Sequence, residues 1–328
     1  MTPMKATAIA HPNVALIKYW GRKDEKFRLP ANGSISINLS AMTTTTTVEF
    51  SKEFKTDEIQ INGETITKEA DRVIQHLDRI RTLAQSDLNA KVVSKNNFPS
   101  STGLSSSSSG FAALTVAATH ALKLNLSEKE LSIMARQGSG SACRSIPDGW
   151  VKWNDAEISE ESYAESLFPV DHWDLVDIVA VVSTKKKDVP TSHGQKLAQT
   201  SPFFEARQKA MANKITQIKN HIEERNFSSF GELIEAEALN MHAVMITSIP
   251  SLIYWSVGTL ELMKQVKKWR TEGIPAFFTI NTGQDTHILV EEKNAQMLTQ
   301  KLSELSYVNN VIKNTISEGS HLIETHLF

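Results

Sequence analysis

Hydrophobic and polar positions along this chain follow two rhythms, and each rhythm predicts a different element. Alternating or β-branched stretches at 34–39 (SISINL) and 43–50 (TTTTTVEF) read as strands. The stretch 58–66 reads as a hairpin, because Asn62-Gly63 at its centre suits a tight turn with positive φ angles. Over 68–84 the apolar residues Val73, Ile74, Leu77 and Ile80 return at helical spacing. A strand-like stretch at 90–94 (AKVVS) then leads through a serine-rich run, 99–110, to an apolar helix expected at 111–124. Ser127 and Glu130 form a capping-box pattern that opens a helix ending near Gly138. Further strands are expected at 150–153, 175–182, 276–280 and 287–290, with a short one near the end. Helices are expected at 203–224, 230–246, 257–271 and 294–305. Strands and helices clustered in this way predict an α+β protein of two domains, 1–184 and 185–328, rather than a doubly wound nucleotide-binding sheet.

Composition narrows the partners. At 328 residues and 36.5 kDa the chain is long enough for two cores. Its 35 Lys+Arg against 37 Asp+Glu give a formal charge of −2, so no global field draws it to nucleic acid or to an anionic membrane. Any anion-binding surface must be local. The single cysteine, Cys143, excludes an intrachain disulfide and reads as a small buried residue rather than a nucleophile. No stretch approaches the roughly 20 apolar residues of a membrane span, and the first residues lack a signal-peptide core, so a cytoplasmic protein is expected. The densest basic cluster, Lys185-Lys186-Lys187, reads as a solvated turn after a strand.

Three segments carry candidate chemistry. The serine-rich run leaves backbone amides unobstructed between a strand and a helix, and the positive end of that helix would attract phosphate. A flexible Ser/Gly linker has the same composition, although the flanking strand and helix argue against one. The run lacks the lysine of a Walker A loop. Lys18, directly after Ala15, Leu16 and Ile17, either snorkels to the surface or holds a partly desolvated charge over a reacting group. In Gly138–Ser145 (GSGSACRS), small residues surround Arg144, whose guanidinium suits a carboxylate or phosphate; an ordinary glycine-capped connection is the other reading. No zinc-hydrolase or nucleophile-elbow motif is present, and His242 reads as a satisfied buried histidine.

Taken together, ALIKYWGRKDE (15–25), NNFPSSTGL (96–104), RQGSGSACRS (136–145), KDVPTSHG (187–194), ELIEAEALNMHA (232–243) and GIPAFFTINTG (273–283) resemble the diphosphomevalonate decarboxylase family. That family lies within the superfamily of galactose, homoserine, mevalonate and phosphomevalonate (GHMP) kinases. The resemblance implies a GHMP-kinase fold, with a ribosomal-protein-like two-layer N-terminal domain, a ferredoxin-like C-terminal domain and an active site between them. It implies ATP and Mg²⁺ as cofactors, a mevalonate phosphate as substrate, and a homodimer. The tertiary 3-hydroxyl is phosphorylated, phosphate leaves, and the carboxylate is lost as CO₂ to give an isopentenyl phosphate.

Residue by residue, the resemblance puts Lys18, Arg144 and Asn281 at the reacting centre, with Arg144 clamping the carboxylate. Tyr19 and Arg22 would lie near the 5-phosphate, Ser139 and Ser141 would hold the substrate, and Ser192 with His193 would meet the distal phosphate. Ser100, Ser101, Gly103, Leu104, Ser105, Ser106 and Ser107 would wrap the ATP phosphates, with Ser106 or Ser107 as a magnesium ligand. Two departures stand out. The family reads Asp-Ala-Gly-Pro-Asn where this chain has Asn281-Thr-Gly-Gln-Asp285, so an amide replaces the catalytic aspartate unless Asp285 supplies the carboxylate. A mevalonate-type 3-kinase that stops at the phosphorylated intermediate is therefore the alternative. His193 also stands where bacterial diphosphate users carry arginine, which points toward a monophosphate.

Overall fold

Residues 4–66, 70–98, 104–183 and 189–328 are described by a computed structural model. Its helices are α1 (Ala70–Ala84), α2 (Ser106–Ala121), α3 (Glu128–Gly138), α4 (Thr191–Leu197), α5 (Phe204–Glu223), α6 (Phe227–Ile246), α7 (Val257–Thr271) and α8 (Glu292–Ser303). A six-stranded sheet has the order His321–Ile323, Met4–Ala10, Thr44–Ser51, Asn89–Asn96, Glu58–Ile61, Glu64–Thr65. Glu58–Ile61 runs parallel to Asn89–Asn96, a pairing that needs a crossover, and α1 provides it. The hairpin at 62–63 forms as its sequence demands, with φ of 53° at Asn62 and 86° at Gly63.

Helix α2 lies on this sheet through Ala112, Ala113, Ala117 and Ala118, all fully buried, whose small side chains let helix and strands approach closely. Its buried Thr115 and Thr119 hydroxyls donate to Phe111 O (2.6 Å) and Thr115 O (2.7 Å), so neither is left unpaired. The helix starts at Ser106, five residues before the expected 111. Serine is a weak helix former, but the Ser108 hydroxyl donates back to the Ser105 carbonyl at 2.6 Å and the following residues are held by packing. The capping box of α3 is complete, with Ser127 Oγ accepting from Glu130 N and Glu130 accepting from Ser127 N.

A second sheet has the order Ala164–Phe168, Trp150–Trp153, Ser34–Asn38, Asn13–Ile17, and a third the order Phe277–Thr279, Thr286–Glu291, Leu175–Val181, Asn310–Thr315. Leu175–Val181 precedes the expected 184/185 division yet pairs with two strands from the second half. Conversely, His321–Ile323 returns to the first sheet. By sheet membership the halves meet before residue 175 and are crossed again at the end, because a strand buried along its whole length joins whichever sheet covers both its faces. Between the second and third sheets, Trp150, Trp173, Phe227, Phe230 and Phe277 form a shared aromatic core with α5 and α6. Among the described residues no helix is long and apolar enough to cross a membrane.

One position in this core is unforgiving. A Cβ on Gly231 of α6 would lie 2.0 Å from the Phe277 ring. Gly231→Ala is expected to lower unfolding stability by about 1–3 kcal/mol through overpacking, despite alanine's better helix propensity. A denaturant midpoint equal to that of the parent would refute the close approach.

Candidate active site

The strand Asn13–Ile17 is buried at every position, and it delivers Lys18 into a cavity of about 710 Å³ between the first sheet with α2 and the 281–282 loop of the second half. The backbone there is held from both sides. Lys18 N donates to Glu237 Oε1 (3.2 Å), and Lys18 O accepts from Arg207 Nη2 (2.7 Å) and Asn32 Nδ2 (3.1 Å). Arg207 of α5 and Glu237 of α6 form a fully buried ion pair, joined by Lys214 Nζ at 2.7 Å. Burial opposes ionisation of Glu237, but the Arg207 and Lys214 charges outweigh it and hold its carboxyl below the usual range.

The Lys18 side chain is only 2% exposed. Its Nζ donates to Ala15 O and, at 2.9 Å, to Asn281 Oδ1. Burial is the main force on this amine. The carboxylate of Glu237 offsets it in part, Arg144 and Arg207 reinforce it, and the pKa falls to about 7. The neutral form of Lys18 is therefore accessible at neutral pH.

Arg144 lies in a short helical turn, Gly140–Ser145, and is 3% exposed. Its Nε and Nη2 donate to Asn13 Oδ1 at 3.2 and 2.9 Å, and Nη1 donates to Ser34 Oγ at 2.9 Å. The rings of Tyr19 and Trp153 lie 5.7 Å from the guanidinium. Every one of these partners is neutral. A buried cation with no counter-ion among the described residues creates a strong preference for an anion in the adjoining cavity. Gly140 leaves room for the Tyr19 ring, since a Cβ there would lie 2.6 Å from the Tyr19 hydroxyl.

Ser105, Ser106 and Ser107, at the start of α2, line the same cavity, and Asn281 Nδ2 donates to Ser105 Oγ at 3.5 Å. Ser105 has a left-handed φ of 58°, and its side chain does not cap the helix. The uncapped helix start suits a phosphate, and Ser107 Oγ accepts from Ser139 Oγ at 3.3 Å. Beyond the serines the cavity turns apolar, with Ile59, Ile61, Val92 and Phe111 beside Asn96. A flat base fits such a slot. The sequence did not reveal this half, because it is assembled from strand edges far apart in the chain.

Most of the expected site residues do converge. Lys18, Tyr19, Arg22, Ser139, Ser141 and Arg144 line the cavity together with Ser192 and Asn281. His193 sits in an adjoining recess. Leu104 is an exception, being 2% exposed and packed in the aromatic core rather than against the cavity. An apolar side chain at the start of a helix gains more by burial than by contact with phosphate. Ser100, Ser101 and Gly103 lie outside the described residues, as do Lys185, Lys186 and Lys187. Cys143 is fully buried, and burial pushes its thiol up to about 12, which removes it as a nucleophile.

The second-half loop answers the aspartate question. Asn281 holds Lys18, and its carbonyl accepts from His242 Nε2 at 2.9 Å. Burial lowers the His242 pKa to about 3, so the ring is neutral and donates from Nε2. Asp285 does not replace the missing carboxylate. It is 3% exposed, accepts from Val182 N at 3.1 Å and is not part of the cavity wall.

This arrangement can hold a nucleotide on one wall and a small anionic substrate against Lys18 and Arg144 on the other. The family model described as "Diphosphomevalonate decarboxylase-like N-terminal domain" matches residues 10–164, and "Mevalonate 5-diphosphate decarboxylase C-terminal domain" matches 177–325. The chain belongs to the diphosphomevalonate decarboxylase family. Its similarity to the diphosphomevalonate decarboxylase of Debaryomyces hansenii is 35% identity over 315 residues, covering 90% of this chain and 81% of that one. The phosphomevalonate decarboxylase of Haloferax volcanii is 31% identical, over 94% and 95% of the two chains. A solved structure described as MDDEF in complex with MVAPP, AMPPCP and magnesium superposes with a TM-score of 0.93 at 38% identity, over 99% of this chain and 100% of that one. The GHMP-kinase fold expected of a diphosphomevalonate decarboxylase is thus present, and sequences of this family handle substrates with either one or two phosphates.

Proposed function

We propose that this protein performs the ATP-dependent decarboxylation of a mevalonate 5-phosphate or 5-diphosphate, giving the corresponding isopentenyl phosphate. One observation carries the reading: a buried Arg144 whose partners among the described residues are all neutral stands beside Lys18, in the same cavity as the uncapped start of α2, where Asn281 links Lys18 to Ser105 Oγ (3.5 Å). The substrate carboxylate supplies the missing counter-ion for Arg144, and Tyr19, Arg22 and Ser192 receive the 5-phosphate end. Ser139 and Ser141 hold the carbon skeleton between them.

The 3-hydroxyl oxygen then attacks the terminal phosphorus of ATP, breaking its bond to ADP. Asn281 has no basic atom, so the hydroxyl proton passes to the neutral Nζ of Lys18, which becomes a cation beside the new phosphate ester. Departure of that phosphate with its bonding electrons, together with cleavage of the bond to the carboxylate, forms the carbon–carbon double bond and releases CO₂. Protein chemistry here is mainly positioning and charge compensation.

The residues fit a magnesium nucleotide in a limited sense. Among the described residues there is no cluster of acidic or histidine ligands, so the metal would be held by the ATP phosphates with the hydroxyl of Ser106 or Ser107. When bound, it neutralises phosphate charge. We also propose a cytoplasmic homodimer, for which the exposed Ile249, Ile253 and Val257 offer apolar surface. Light scattering of a monomer at micromolar concentration would remove the dimer.

The test of the activity incubates pure protein with ATP, Mg²⁺ and each of mevalonate, its 5-phosphate and its 5-diphosphate, following ADP and CO₂ separately. Equal yields of the two products on a phosphorylated substrate are expected. ADP without CO₂ would mean a 3-kinase, and neither product would sink both readings.

A further inference from the structure

The hydrogen bond between Lys18 Nζ and Asn281 Oδ1 joins residues 263 apart in the chain, and each of them lies just past the end of a strand. Past a strand end the backbone loses its ladder partners and must find others. For both residues a partner comes from one helix, α6. Glu237 Oε1 accepts from Lys18 N at 3.2 Å, and His242 Nε2 donates to the Asn281 carbonyl at 2.9 Å. Neither Glu237 nor His242 is part of the cavity wall. We propose that α6 is the positioning element of the reaction, and that Glu237 and His242 are positioning residues that hold Lys18 and Asn281 in register with each other at the reacting centre. The inference rests on the decarboxylase reading, in which neutral Lys18 takes the hydroxyl proton.

Helix geometry suits this role. Glu237 and His242 are five positions apart, which separates them by about 7.5 Å along the axis and about 140° around it. Met241 points between these two directions and is the residue of α6 that borders the cavity. One rigid helix therefore holds the first-half segment on one flank and the second-half loop on the other.

The ion pair behind Lys18 does more than tie α5 to α6. Two apolar side chains often join helices as well, because a buried pair must offset its own desolvation. What Glu237 and Arg207 supply together is an acceptor for Lys18 N and, from Arg207 Nη2 at 2.7 Å, a donor for Lys18 O. That is the pattern of a neighbouring strand, made from side chains. Asn32 repeats the second bond at 3.1 Å and is itself held by Gln208 at 3.2 Å. On the other flank the His242 ring lies against Trp255, with centroids 4.7 Å apart, which fixes the direction of its N–H. Burial keeps that ring neutral, so it contributes orientation rather than charge.

Glu237 also bears on the charge of the amine. Burial drives Lys18 toward its neutral form, and the Glu237 carboxylate is the strongest opposing influence. Arg144 of the Gly140–Ser145 turn and Arg207 of α5 reinforce burial, and Asp177 of Leu175–Val181 opposes it. Lys214 of α5, paired with Glu237, and neutral His242 stand next to this set. Glu237→Gln keeps an oxygen for Lys18 N but removes the charge, so Lys18 should lose its proton at lower pH than in the parent.

Two readouts test the proposal, and one of them is independent of turnover. NMR titration of lysine isotope-labelled at Cε, assigned with Lys18→Arg, follows the Lys18 amine in the parent and in Glu237→Gln. Its midpoint should drop by about one pH unit, and the rising limb of kcat/KM should move down with it. ADP and CO₂ release is then compared for the parent, His242→Leu and His242→Gln. Leucine fills the space without a donor, whereas the glutamine amide reproduces the N–H at Nε2. His242→Leu should lower kcat about tenfold to a hundredfold with KM for ATP within about threefold, since a misplacement of about 1 Å suffices for such a loss. His242→Gln should recover most of it. Circular dichroism checks each fold, and if Glu237→Gln does not fold the histidine variants decide alone. An unmoved Lys18 midpoint in Glu237→Gln, a His242→Leu as fast as the parent, or a His242→Gln as slow as His242→Leu would overturn the proposal. A parent that releases neither ADP nor CO₂ while its Lys18 midpoint still falls in Glu237→Gln would uphold the hold of α6 on Lys18 and sink the decarboxylase reading instead.

Discussion

Replacing Arg144 by alanine is expected to reduce CO₂ release by at least about 10³-fold while leaving ATP affinity within a few-fold of the parent. The guanidinium is 3% exposed and bonded to Asn13 and Ser34, so it is oriented before substrate arrives and owes none of its charge to a protein carboxylate. Two charge-assisted bonds to the substrate carboxylate are together worth about 3–6 kcal/mol, which sets the size of the loss. Arg144→Lys should not restore activity, because a point charge cannot reproduce two parallel bonds from a planar fork. Single-turnover ADP and CO₂ measurements with a parallel nucleotide titration decide the matter. A collapse of ATP binding would show that Arg144 belongs to the nucleotide side and that the division of the cavity is wrong.

Asn281→Asp should change the pH dependence more than any other conservative substitution. In the parent, Lys18 titrates near pH 7, and its neutral form accepts the 3-hydroxyl proton, so kcat/KM should rise with pH through that value. At pH 6 only about a tenth of Lys18 is neutral. A carboxylate placed at Asn281, within bonding reach of Nζ, would keep Lys18 charged and would itself serve as the acceptor. The variant is therefore expected to be about tenfold more active than the parent at pH 6, with the limb near pH 7 removed. Identical limbs in both proteins would assign the titration to another group.

Stability gives a second readout of the same amine. The folded pKa of Lys18 lies below the ordinary lysine value of 10.5, so between about pH 7 and 10.5 the unfolded chain binds a proton that the folded chain lacks. Unfolding free energy contributed by this group should rise with pH across that window in the parent. The slope should flatten in Asn281→Asp, where the folded pKa moves back up. An unchanged slope would mean that Lys18 is not the group responsible.

The sequence was most informative where a signal is local. Ser127 with Glu130 and Asn62 with Gly63 specify a cap and a turn by residues no more than three apart, and both formed as read. The serine-rich run was legible as a connection leading into a helix but not in where that helix starts, since packing of α2 on the sheet overrides the poor propensity of Ser106–Ser109. Lys18 was conspicuous as a charge after an apolar run, yet its depressed pKa depends on Glu237, Arg207 and Arg144, which only the fold brings near. Arg28 borders the cavity, yet nothing in KFRLP distinguishes a cation beside a cleft from one dissolved in solvent. Leu175–Val181 read correctly as a strand, but its sheet could not be known, because periodicity carries no information about the neighbour on either side.

The strand His321–Ile323 closes the edge of the first sheet by pairing with Met4–Ala10, about three hundred residues away along the chain. During synthesis at about 5–20 residues per second, that edge stands open for roughly 15 to 60 s before its neighbour emerges. The nascent protein must therefore carry an unpaired β-edge through most of its own translation. Such an edge is a template for pairing with other chains, so ribosome-bound chaperones and slow dilution during refolding should matter more to this protein than its final stability suggests.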